Sequence, residues 1–167
     1  MQASRRPGPQ GAIPVEVRIL LAAATAGSLD LFYVVAINGA AGVSPTLVLQ
    51  FIASGLLGEA AFYGGYGGAA LGASFHFGLM TIFALCVAAI PAHPKLARRS
   101  PLIVGAAAGL ALYAVMTFVV VPLSRTPPLG PLPYYRTLLD FLVHVVLGGV
   151  VALVVRGRSA GPAIASE

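Results

Sequence analysis

The chain has 167 residues, of which 58% are apolar and 9% charged, with a formal net charge of +5. A soluble domain carries about a quarter charged residues, so this composition excludes an ordinary hydrated surface and points to an integral membrane protein. The positive charge does not indicate nucleic acid, because the basic residues flank apolar stretches instead of forming a stripe, and the single Cys86 allows neither a disulfide nor a CxxC pair.

Residues 1–12, with Arg5 and Arg6 among Pro, Gly and Gln, read as a short flexible tail. They lack the small-residue cleavage pattern of a secretory signal and the apolar sequel of a twin-arginine signal. The first membrane-length segment runs from about 13 to 38 and ends at Gly39 to Gly42. A shorter helix is expected over about 45–57, where Ser44 and Pro45 start it and Leu47, Val48, Phe51, Ile52 and Leu56 follow the helical period. Thr46, Gln50 and Ser54 fall on its other side. Too short to cross, it should lie along the outer interface or dip in and return, with Gly58 ending it and Glu59 at the mouth of the bundle.

The second span covers about 67–90 and stops at Pro91. The third, about 101–121, opens with Ser100 as N-cap and Pro101 in the first turn, and closes at Pro122. A proline-rich loop leads to the fourth, about 135–155, and residues 157–167 form a second flexible tail. The fold expected is all-α: one membrane domain over 1–167, an integral membrane four-helix bundle with an amphipathic outer helix between spans one and two.

Eight of the ten Lys and Arg lie in the N-terminal flank (Arg5, Arg6, Arg18), the middle loop (Lys95, Arg98, Arg99) and the C-terminus (Arg156, Arg158), leaving only Arg125 and Arg136 elsewhere. The positive-inside rule places both termini in the cytoplasm. With no Trp, the interface anchors are Tyr63, Tyr66, Tyr134 and Tyr135, all expected at the outer face.

Setting His76 over His144 also superposes Tyr66 on Tyr134 and Leu71 on Leu139, while Gly27 falls on Gly109. One reading is a duplication: two parallel repeats of two spans related by an axis along the membrane normal. Each span also carries small or polar residues at spacing four: Ala22, Ala26, Asp30; Gly64, Gly68, Gly72, His76; Gly105, Gly109, Tyr113, Thr117; and Asp140, His144, Gly148, Ala152. Small residues at that spacing let helices approach closely, so Gly64, Gly68, Gly72, Gly105, Gly109 and Gly148 are the expected packing positions. The same faces could serve a second copy of the chain or another membrane protein.

At about 1.5 Å per residue, Asp30, His76, Tyr113 and His144 all lie roughly 12 Å below the outer face, and Asp140 sits one turn above His144. An ionisable group at the centre of a span costs about 2.5 to 3.5 kcal/mol on insertion scales, so it normally faces a partner or a wet cavity. One internal polar site made of Asp30, His76, Tyr113, Asp140 and His144, lidded by Glu59, is one expectation; hydrogen-bonding glue between helices is the other. If the site works, its response between about pH 5 and 7 should depend on the histidines.

The run HFGLMTIFAL (His76 to Leu85), the stretch GAAAGLALYAVMTFVVVPLSRTPP (Gly105 to Pro128) and FLVHVV (Phe141 to Val146) resemble small bacterial inner-membrane proteins of the YagU type. The resemblance covers about half the chain and carries over His76, Pro122 and His144. It implies a multi-span protein of the bacterial cytoplasmic membrane with a part in acid tolerance. The glycine-rich segment 55–72 departs from that pattern.

No HExxH, GxSxG, Walker glycine loop or CxxCH is present, so an enzyme is not expected. Three functions remain: a structural membrane subunit, proton or small-cation handling, and binding of b-type haem or a divalent metal through His76 and His144. The sequence leaves the cofactor unassigned.

Overall fold

A computed structural model describes residues 13–90, 94–128, 130 and 132–156; both tails lie outside the described residues. Every long element is helical, as a chain in lipid requires, since a helix satisfies its own backbone polar groups. The helices are α1 (Val15–Gly39), α2 (Pro45–Leu57), α3 (Gly65–Ala89), α4 (Pro101–Leu123) and α5 (Tyr134–Arg156). A 3₁₀ turn, Gly58–Tyr63, continues α2, and one helical turn, Pro94–Ala97, precedes α4. Large apolar residues such as Phe32 (75% exposed) and Phe118 (73%) point outward, as they should if the surrounding phase is lipid.

Five segments, one more than the expected four, are long and apolar enough to cross a membrane. The extra one is Pro45–Tyr63, lengthened to 19 residues by the 3₁₀ turn. Its course differs from that of the others. α1, α3, α4 and α5 run antiparallel in sequence between two ends of the bundle. α2 starts where α1 finishes, and its Gly55 carbonyl accepts the Arg125 N–H just beyond α4, at the same end. A left-handed φ of +61° at Gly58 ends α2 and turns the chain toward α3.

α2 departs in part from the expected amphipathicity, with Val48 and Ala53 buried together with polar residues. Gln50 and Ser54 are buried, whereas Leu47, Leu56 and Leu57 are exposed. The Gln50 amide donates to the Gly65 carbonyl at 2.9 Å and Ser54 to the Phe51 carbonyl at 2.6 Å, so the polar residues are satisfied inside. In lipid the solvent is apolar, and the polar face is the one that turns to protein.

Ser44 accepts the Leu47 N–H at 3.2 Å as the cap of α2, but Ser100 makes no side-chain cap at α4. Ser44→Ala should therefore cost about 1 kcal/mol and Ser100→Ala a few tenths at most, read by denaturation in detergent. Equal losses would show that the Ser44 bond does not hold α2. α4 also passes Pro122, where it was expected to stop. A π turn over Met116–Val120 widens the helix just before the proline, whose ring and missing N–H a regular α-turn would not accommodate.

The bundle divides into two halves. Ile19, Ala22, Ala23 and Ala26 of α1, Met80, Phe83, Ala84 and Val87 of α3, and Leu147, Val151, Ala152 and Val155 of α5 form one core. At that end Arg18 donates to the Arg156 carbonyl at 2.9 Å, and Arg156 donates to the Arg99 carbonyl at 2.8 Å. The first covers the last carbonyl of α5, which would otherwise be orphaned, and the second ties the end of α5 to the loop ahead of α4. The other half, toward α2, is where α1 and α5 still meet but α3 and α4 barely touch. All four anchor tyrosines, Tyr63, Tyr66, Tyr134 and Tyr135, are exposed at this end.

The glycine positions separate by what they touch. A Cβ on Gly109 would overlap the His144 carbonyl, and one on Gly148 would overlap the Gly105 carbonyl, so α4 and α5 pack backbone to backbone. Gly72 and Gly68 are equally tight, but what they admit is α2 and its 3₁₀ turn, through Leu49 and Ala61, and not another long helix. Gly64 is exposed ahead of α3 and takes no part in helix packing. A Cβ on Gly27 would meet the side chains of Phe77 and Met80, whereas one on Gly109 would meet the backbone of His144 and Val145, so the two contacts are not equivalent. The gap between α3 and α4 also has no counterpart between α1 and α5, and the two-repeat reading finds no support here.

Candidate functional site

The gap encloses a cavity of about 610 Å³. Asp30 on α1, His76 on α3, Tyr113 on α4, and Asp140 and His144 on α5 all line it. These residues come from four helices and are far apart in sequence, so their convergence is a property of the fold. Glu59 is not among the lining residues; it is exposed on the 3₁₀ turn. The lid is instead the apolar wall made by Val43, Leu47, Val48, Phe51, Ile52 and Phe62. A recess of about 60 Å³, room for about two waters by liquid volume, is lined by Asp30, His76 and His144 together with Leu79, Met80, Leu112 and Met116.

Each histidine is oriented by one backbone carbonyl. His76 is buried and donates from Nε2 to the Gly27 carbonyl at 2.9 Å, joining α3 to α1. His144 donates from Nδ1 to the Asp140 carbonyl at 2.8 Å, within α5. A carbonyl can only accept, so in the neutral rings Nδ1 of His76 and Nε2 of His144 carry the lone pairs. Tyr113 packs edge-on against the His144 ring, with centroids 5.5 Å apart, and likewise against Phe141.

The i,i+4 pairing of Asp140 with His144 thus uses the Asp140 backbone and not its carboxylate. That carboxylate accepts a hydrogen bond from the Tyr33 hydroxyl across α1 and α5. Tyr33 was not singled out from the sequence, although it stands three residues from Asp30 on the same helical face. Arg136, one turn before Asp140, was counted only as a loop charge, yet it lines the cavity with Asn38 and Thr117. Its Nε is buried and, among the described residues, has no hydrogen-bond partner. Asp30 receives no side-chain hydrogen bond from the described residues; its neighbours are the cavity and the recess.

As ligands, His76 and His144 each keep one nitrogen free while the other is fixed by a carbonyl, an arrangement compatible with metal binding. Among the described residues, however, no three His, Cys, Asp or Glu side chains stand close enough to share an ion. A bis-His haem held through Nε2 on both sides would require His76 to give up its bond to Gly27.

No family model, no curated protein and no solved structure matches this chain, so the likeness to the YagU type rests on the residues quoted for it.

Proposed function

We propose that this chain is a multi-pass protein of the bacterial cytoplasmic membrane, not itself an enzyme, whose Asp30, His76, Tyr113, Asp140 and His144 form a proton-exchanging site. The observation that carries this reading is Asp30: it lines the cavity and the recess beside both histidines, with no hydrogen-bonding partner of its own among the described residues. Glue accounts for His76 on Gly27 and for Tyr33 on Asp140, each an interhelical bond worth about 0.6 kcal/mol on average. It does not account for an unpaired carboxyl that costs about 3 kcal/mol at mid-membrane. A group retained at that cost without a structural partner is better explained by water and protons reaching it.

The topology that goes with this reading has four spans, α1, α3, α4 and α5, with α2 dipping into the outer leaflet and both termini cytoplasmic. Support comes from α2 beginning and ending at one end and from the clustering of Arg18, Arg99 and Arg156 at the other. A reporter active only in the cytoplasm should give signal after Ala163 and none at Leu129. The reverse pattern would overturn the orientation, and signal from both positions would overturn the span count.

Proton exchange is tested by reconstituting the purified protein in liposomes containing a pH-sensitive dye and acidifying the outside. The interior should acidify several times faster than in protein-free liposomes. Equal rates would leave the polar groups with a structural role only.

A further inference from the structure

We infer that the cavity is also a binding site for a single-chain amphiphile with an anionic head, a carboxylate or a phosphate monoester, held by Arg136. The inference rests on the cavity being open, as in the proposed function, but not on proton exchange. Its volume of about 610 Å³ lies within the range of about 300 to 1,000 Å³ typical of small-molecule sites. Protons and small cations need far less room. The volume equals roughly twenty waters at about 30 Å³ each, yet Val48, Phe51, Ile52, Phe62 and Leu132 give that part of the chamber walls with no polar side chain. Such walls favour a hydrocarbon over a water pool.

The sign of the head follows from Arg136. It stands in the first turn of α5, where the helix dipole favours anions and disfavours a cation. Among the described residues its Nε is buried without a hydrogen-bond partner. The nearby Asp140 is instead engaged by Tyr33. An always-charged guanidinium left in this position is matched by an anion from outside the protein, bound bidentately by the guanidinium. The head then sits at the mouth beside Arg136, and the chain lies along the α2 wall instead of over Asp30.

The test uses the full protein in phosphatidylcholine nanodiscs with three photoreactive probes of one chain length: a fatty acid, an alkyl phosphate and an alkylamine. The inference expects the fatty acid or the alkyl phosphate to label the 43–62 segment and Leu132, whichever labels more naming the head, while the amine labels only lipid-facing positions such as Phe118. Arg136→Gln should lower cavity labelling about tenfold, the worth of one charge-assisted hydrogen bond, and Arg136→Lys should retain part of it. Arg125→Gln should change nothing. Asp30→Asn, which stops proton exchange under the proposed function, should leave labelling intact, so either reading can fail without the other. Equal labelling by amine and anionic probes would overturn the inference, as would undiminished labelling of a monodisperse Arg136→Gln protein. If Arg136→Gln does not fold, the preference of the unmodified protein among the three probes decides alone.

Discussion

Gly109→Ala and Gly148→Ala should each lower the midpoint of thermal unfolding in detergent by about 5 to 10 °C, and the corresponding Leu variants should fail to give a monodisperse protein. The added Cβ at either position meets backbone, the His144 carbonyl in one case and the Gly105 carbonyl in the other, which cannot rotate aside as a side chain can. Overpacking costs about 1 to 3 kcal/mol when side chains absorb it. Separating two helices that touch through their backbones forfeits the close contacts on which association in lipid depends. At about 2 to 4 °C per kcal/mol for a chain of this size, even the alanine variants should be measurable. Gly78→Ala is the control, since a Cβ there meets nothing within 4 Å and alanine is the better helix former. Equal midpoints for all three alanine variants would show that α4 and α5 are not held at this crossing.

Asp30→Asn should reduce proton entry into liposomes at least tenfold while leaving thermal stability unchanged or raised. The amide keeps the volume of the side chain but cannot carry a proton between water and the histidines. It also removes an ionisable group from the membrane interior, which costs about 3 kcal/mol on insertion scales. Gain or retention of stability with loss of activity is the signature of a residue kept for function. A packing role predicts the opposite pair: lower stability and unaltered flux. Asp140→Asn should leave stability nearly unchanged, since an amide oxygen can still accept from Tyr33.

The four long helices were legible in the sequence to within about two residues at each end, because unbroken apolar runs and the markers at Pro101 and Gly39 to Gly42 set them. The convergence of Asp30, His76, Tyr113, Asp140 and His144 was legible through depth and spacing alone. What was not legible has identifiable causes. Gln50 and Ser54 looked like a hydrated face because that inference assumes water outside the helix, whereas lipid reverses it. The glycines of α3 announced a close approach but not which element would make it, and α2 takes the place expected of a long helix. Glu59 was placed by chain proximity to the mouth, and the apolar wall of α2 covers the cavity instead. Arg136 was overlooked because an arginine near a span end reads as a topology charge before it reads as a cavity wall, and Tyr33 because it falls off the small-residue stripe Ala22, Ala26, Asp30.

Asp30 and the histidines line one cavity, and the proposed function requires that water reach it from the α2 end. The most direct measurement replaces Cys86 with Ser and places single cysteines at Val34 and Met116, which line the cavity, and at Ile82 and Phe118, which are 58% and 73% exposed toward lipid. A membrane-impermeant maleimide added to sealed vesicles should label Val34→Cys and Met116→Cys from one side only and leave Ile82→Cys and Phe118→Cys unlabelled, although these two are the more exposed. Folded protein in which Val34→Cys and Met116→Cys resist the reagent from both sides would contradict the account.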